Sequence, residues 1–198
     1  MVNTIKILAV DQARHGAWAM FNYESKELIG HGTWSFDNKK YTFPKAVRNI
    51  EVLIENIMNT QGIDAVFYED IQLRVNAQGF KRLAQLQGVL INLAEKNEYL
   101  YDLVQPSQWQ NYCMARGRSE KEIKAKVKQL ESATHKKQSK VLSIQAVNDL
   151  FGIETENDNL ADACCIGWYV VNNIPIKIKE KTLRKNPPIS LTCWVLTM

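Results

Sequence analysis

Ile5-Lys6-Ile7-Leu8-Ala9-Val10-Asp11 is an apolar, β-branched run that stops on a carboxylate, and it reads as a buried strand with an acid at its end. Working outward, Gly16 to Tyr23 and Leu28 to Phe36 give two further strands, joined by Glu24-Ser25-Lys26-Glu27 as a turn. The first three strands therefore form an antiparallel meander on short connections. At Pro44 the period changes: Val47, Ile50, Leu53, Ile54 and Ile57 recur at helical spacing, and the proline suits a first turn.

Ala65-Val66-Phe67-Tyr68-Glu69 is a second buried strand that ends on an acid, entered through Gly62-Ile63-Asp64 and followed by Asp70. A long helix follows, with Phe80, Leu83, Leu86, Leu90, Leu93 and Ala94 in period, and Tyr99 to Val104 gives a fifth strand. Pro106 closes that strand, and Ser107 is suited to cap a short helix. Beyond a basic stretch, Val141, Ile144, Val147 and Leu150 predict a helix ending near Gly152, and a last helix runs from about Asn157 to Asn173. Three antiparallel strands, a helix, then strand, helix, strand and more helices make a mixed α/β order. After Ile174 the composition turns lysine-rich, then Pro187-Pro188, then apolar, so residues 175–198 are set apart as a basic appendage with no role assigned.

The chemistry lies in where the acids fall. Asp11 and Glu69 each end a run of apolar residues, and Asp158 and Asp162 open a helix that is otherwise nearly all apolar. Asp162 lies one turn after Asp158, so the two project from one side. A carboxylate beside a core is costly unless paired, hydrogen-bonded or bound to a cation, and no lysine or arginine stands in that last helix. Converging carboxylates suit magnesium or manganese, which take oxygen ligands. Two such ions, ~4 Å apart, could activate a water and stabilise the leaving oxygen of a phosphodiester. Each acid also has a plainer reading: Asp11 as the start of a turn, Asp158 as a helix N-cap.

Composition is in keeping with this. At 198 residues and 45% hydrophobic the chain holds one domain with a substantial core. Nothing in it reads as a secretory leader or as an apolar run long enough to span a bilayer, so a soluble, cytoplasmic protein is expected. Cys113, Cys164, Cys165 and Cys193 include no CxxC pair, and buried thiols are expected rather than disulfides or zinc. His15, His31 and His135 lack ligand spacing. The net charge of +4 is uneven: residues 116–140 hold nine lysines and arginines against three glutamates, and Lys177, Lys179, Lys181, Arg184 and Lys185 follow. Such clusters can neutralise phosphates, although a lysine run is also simply a solvated face.

Together these stretches resemble the RuvC-type Holliday junction resolvases, in particular their phage-type branch. Asp11 followed by Gly16-Ala17-Trp18-Ala19 looks like their opening, and Phe67-Tyr68-Glu69-Asp70 before the long helix looks like their second acidic strand. Arg116-Gly117-Arg118-Ser119-Glu120-Lys121 is similar to their basic loop, and Asp158-Asn159-Leu160-Ala161-Asp162-Ala163 to their closing acidic helix. The resemblance covers residues 4–173.

It implies an RNase H-like fold over residues 1–174, with a five-stranded mixed sheet flanked by helices. It also implies a homodimer in the cytoplasm of a bacterium or phage-infected host, nicking four-way DNA junctions with two magnesium or manganese ions and no nucleotide cofactor. Asp11, Glu69 and Asp162 then take metal-ligand positions. Asn159 stands where bacterial members often carry an acid, so the fourth position passes to Asp158. Lys121 falls beside the scissile phosphate, with Arg116, Arg118 and Lys124 as further DNA contacts. Gln72 stands near where some members use an aromatic wedge. A nuclease acting on RNA–DNA hybrids or flaps, and a non-catalytic junction binder, are the alternatives.

Overall fold

The computed structural model describes residues 4–72, 76–115 and 138–176. Strands β1 (Lys6–Asp11), β2 (His15–Asn22) and β3 (Leu28–Ser35) are followed by α1 (Phe43–Gln61), β4 (Ala65–Glu69), α2 (Ala77–Lys96) and β5 (Leu100–Val104). Then come α3 (Pro106–Tyr112), α4 (Gln138–Phe151) and α5 (Asp158–Asn173). The sheet order is β3-β2-β1-β4-β5. The first three strands pair antiparallel, with Asp11 opposite Ala17, while β1 pairs parallel with β4 and β4 with β5. This is the five-stranded mixed sheet flanked by helices that the sequence implies.

Alternation along the strands divides the interior into two layers. Leu8, Val10, Val66 and Tyr68 face α1 and α2, packing with Ile50, Ile54, Leu86 and Leu90. Ile7, Ala9, Ala65 and Phe67 face the other way, onto Trp109, Val147 and the α5 residues Leu160, Ala161, Cys164 and Cys165. α1 ends at Gly62, whose φ of 66° is the left-handed geometry that glycine adopts without strain, and its N–H bonds back to the Met58 carbonyl.

Two local expectations are corrected. The short helix α3 is capped by Gln105, not Ser107: Pro106 occupies the first helical position, and the Gln108 side chain accepts from the Gln105 N–H at 3.1 Å. Proline fixes its own φ near the helical value, so the helix starts two residues earlier than a hydroxyl cap at Ser107 predicts. Asp158 is not the cap of α5 either. Asn157 has that role, accepting from Leu160 N at 3.1 Å, and Asp158 lies in the first turn.

Cys113, Cys164 and Cys165 are buried. Burial pushes the Cys164 thiol up to about 12. No helix among the described residues is long and apolar enough to cross a membrane. The appendage, from residue 177 onward, lies outside the described residues.

Candidate active site

Register brings Asp11 and Glu69 together. β1 and β4 run parallel with Val10 beside Tyr68, so one step further the two acids end neighbouring strands at the same edge. They also share a face. Asp11 follows Ile7 and Ala9 in alternation, and Glu69 follows Ala65 and Phe67, which places both on the side covered by α5.

α5 is laid antiparallel to β1. A Cβ on Gly167 would overlap the Phe21 ring and stand 3.3 Å from the Ala9 Cβ, so mid-helix sits over mid-strand. Beyond the helix, the Tyr23 hydroxyl donates to the Ile174 carbonyl at 2.9 Å and accepts from Ile176 N at 3.2 Å, while Tyr23 N bonds to the Ile5 carbonyl. The far end of α5 is therefore fastened near the start of β1, and its first turn lies towards Asp11. Small residues make this closeness feasible: Ala161, Ala163, Cys164 and Gly167 are all buried. Asp158 and Asp162 open that end, and Asp158 stands in the first turn, where the helix dipole favours a negative charge.

The supports around Glu69 were not legible in the sequence. The Trp109 indole N–H donates to Glu69 Oε1 at 3.1 Å from α3, forty residues away. The Glu69 carbonyl accepts from two side-chain amides, Gln87 Nε2 at 3.1 Å and Gln12 Nε2. Gln12 is 3% exposed, and its Oε1 finds no hydrogen-bond partner among the described residues. Of these three only Gln87 left a signal in the sequence, as a polar residue on the apolar stripe of α2.

Asp11 is 7% exposed, Glu69, Asp158 and Asp162 are half-buried, and Asp158 Oδ2 is closed to solvent. As a donor set the four carboxylates match a hard divalent cation in kind. They do not form a finished cage: among the described residues, no three Asp, Glu, His or Cys side chains close on one point. A cation would have to draw the more exposed side chains inward.

Arg116, Arg118, Lys121 and Lys124 lie outside the described residues. Gln72 is exposed just beyond the end of β4. The other buried acid, Asp64, is structural: its Oδ2 accepts from Lys6 N at 2.9 Å, at the opposite end of β1.

A mixed sheet of this order, with acids ending the first and fourth strands and opening the last helix, is an RNase H-like fold of the RuvC type. Among solved structures, Thermus thermophilus RuvC matches with a TM-score of 0.61 at 14% identity, covering 83% of this chain and 92% of that one. T. thermophilus RuvC in complex with a Holliday junction substrate matches at 0.60 and 12% identity, over 83% and 91%. The yeast mitochondrial Holliday junction resolvase matches at 0.52 and 17% identity, over 85% and 78%. At these identities the likeness is one of fold. No family model matches the chain, and no curated protein matches it in sequence.

Proposed function

We propose that the chain is a metal-dependent DNA endonuclease that nicks four-way junctions and related branched DNA. The observation that carries this reading is the placement of four carboxylates at one edge of the sheet, two on neighbouring parallel strands and two on the helix laid over them. The match to a RuvC bound to a Holliday junction substrate supports the substrate class.

Asp11, Glu69 and Asp162 would hold the ions, with Asp158 as the fourth ligand. Bound there, magnesium or manganese supplies a lowered pKa for water and charge stabilisation at the phosphodiester. The remaining work falls to the chain. Asp11, buried at a strand end, has little freedom to swing, so its carboxylate is preorganised. Without cations the acids together repel a phosphate, which ties cleavage to metal. Arg116, Arg118 and Lys124 would contact phosphates, with Lys121 beside the scissile one.

A homodimer is part of the same reading, since a two-fold assembly presents two identical sites to strands of like polarity. Its interface would be α2, whose Leu86, Leu90, Leu93 and Ala94 are buried in the chain's own core while Phe80, Leu83, Val89 and Ile91 stay partly exposed.

The test is a panel of synthetic four-way junction, flap, duplex and RNA–DNA hybrid, with and without magnesium. Paired symmetric nicks in the junction are expected, in clear preference to flap, duplex and hybrid, and lost in Asp11→Asn and Glu69→Gln while junction binding persists. Equal cutting of hybrid or flap, or an active Asp11→Asn, refutes the reading.

A further inference from the structure

We propose that Trp109 is a positioning residue for Glu69, fixing the carboxylate through a donor that leaves its charge intact; this rests on the carboxylate site proposed above. The indole is 1% exposed and its N–H reaches Glu69 Oε1 at 3.1 Å. A buried indole N–H must find an acceptor, and a backbone carbonyl is the ordinary choice. Here the acceptor is instead the side chain that ends β4 on the acid-bearing face.

The kind of donor matters. An arginine or lysine in this place would hold the carboxylate equally well but cancel the charge that attracts a cation. A neutral N–H orients the group and leaves its net charge in place, and hydrogen bonds to ligating carboxylates act in this way at metal centres. The backbone of the same residue is fixed independently. Gln12 and Gln87 both donate to the Glu69 carbonyl, so the strand end is held from two sides, and the indole acts on the side chain rather than on the backbone.

Trp109→Phe keeps an aromatic ring of similar shape and removes the donor. Binding of Mn2+ to the DNA-free protein, followed by calorimetry, is expected to weaken by about 10-fold or more, with circular dichroism unchanged. In cleavage assays the metal concentration for half-maximal rate should rise by a similar factor, while the rate at saturating metal largely recovers. A purely structural tryptophan would lower stability without moving the metal midpoint. A second readout needs no change at position 109: the Trp109 indole resonance in a 15N spectrum should shift in Glu69→Gln and on addition of Mg2+ to the unaltered protein. Wild-type Mn2+ affinity in folded Trp109→Phe, with affinity lost in Glu69→Gln, overturns the positioning role and leaves the site standing. An indole resonance indifferent to Glu69→Gln overturns the hydrogen bond itself. Unchanged Mn2+ affinity in Glu69→Gln removes the carboxylate site, and this proposal with it.

Discussion

Replacing Gly167 by alanine sets two calculable effects against each other. In a helix interior alanine is favoured over glycine by about 1 kcal/mol, so an isolated α5 would gain. In the folded chain the new methyl would overlap the Phe21 ring and press on the Ala9 Cβ at 3.3 Å. Neither neighbour can yield easily. Phe21 and Ala9 are both 0% exposed, and Phe21 is wedged edge-on against Phe151, ring centroids 5.7 Å apart. Overpacking of a filled core costs roughly 1–3 kcal/mol, and outright overlap with a ring belongs to the upper part of that range, roughly 2–3 kcal/mol, so packing outweighs propensity and a net loss of about 1–2 kcal/mol is expected. For a chain of this size that is a fall in Tm of roughly 2–8 °C, readable by calorimetry. Phe21→Leu frees space opposite position 167, so the double variant should be less destabilised than the sum of the singles. Cleavage should fall too, because lifting α5 from the sheet carries Asp162 away from Asp11. A higher Tm in Gly167→Ala would show propensity winning unopposed. Mid-helix would then not sit on mid-strand, and the placement of the α5 acids over Asp11 would lose its foundation.

Other outcomes follow from the same site. Asp162→Asn should be as damaging as Asp11→Asn, whereas Asp158→Asn should be partly rescued by manganese, which tolerates imperfect ligand sets better than magnesium; full activity of Asp158→Ala would return that residue to a helix-end charge. Replacing Arg116, Arg118 and Lys124 together by alanine should flatten the salt dependence of junction binding by roughly one unit of slope for each phosphate left without its cation, and an unchanged slope would make them a solvated face. Light scattering at low micromolar concentration should give twice the chain mass of 22.7 kDa, and a monomer would remove the symmetric mechanism. In the native protein Cys164 should resist alkylation at pH 8, because a buried thiol pushed up to about 12 stays protonated there; rapid labelling would contradict its burial.

The elements read best from sequence were those where one rule acted alone. β1 and β4 are short apolar runs closed by an acid, and α1 carries an uninterrupted helical period between Pro44 and Gly62. The same alternation that identifies the strands also decides which face Asp11 and Glu69 occupy. Errors arose where two rules competed for one end. At α3 a fixed proline φ prevailed over a hydroxyl cap, and at α5 Asn157 prevailed over Asp158. The hydrogen bonds of Glu69 were out of reach for another reason. Trp109, Gln12 and Gln87 are 40, 57 and 18 residues from it, and no local pattern encodes a pairing at such separations.

Glu69 is also where the two halves of the interior exchange force. Gln87 belongs to α2, in the layer beneath the sheet, and Trp109 to α3, in the layer above it. Apolar side chains slide past one another at little cost, because dispersion has no preferred direction, whereas hydrogen bonds weaken steeply within a fraction of an ångström. Shear between the layers is thus resisted least by the bulk of the packing and more where side-chain hydrogen bonds cross to the sheet, as they do at Glu69. A displacement of α2 is passed through Gln87 to the Glu69 carbonyl, and one of α3 through Trp109 to its carboxylate. The acid at the end of β4 works as a strain gauge read from both sides.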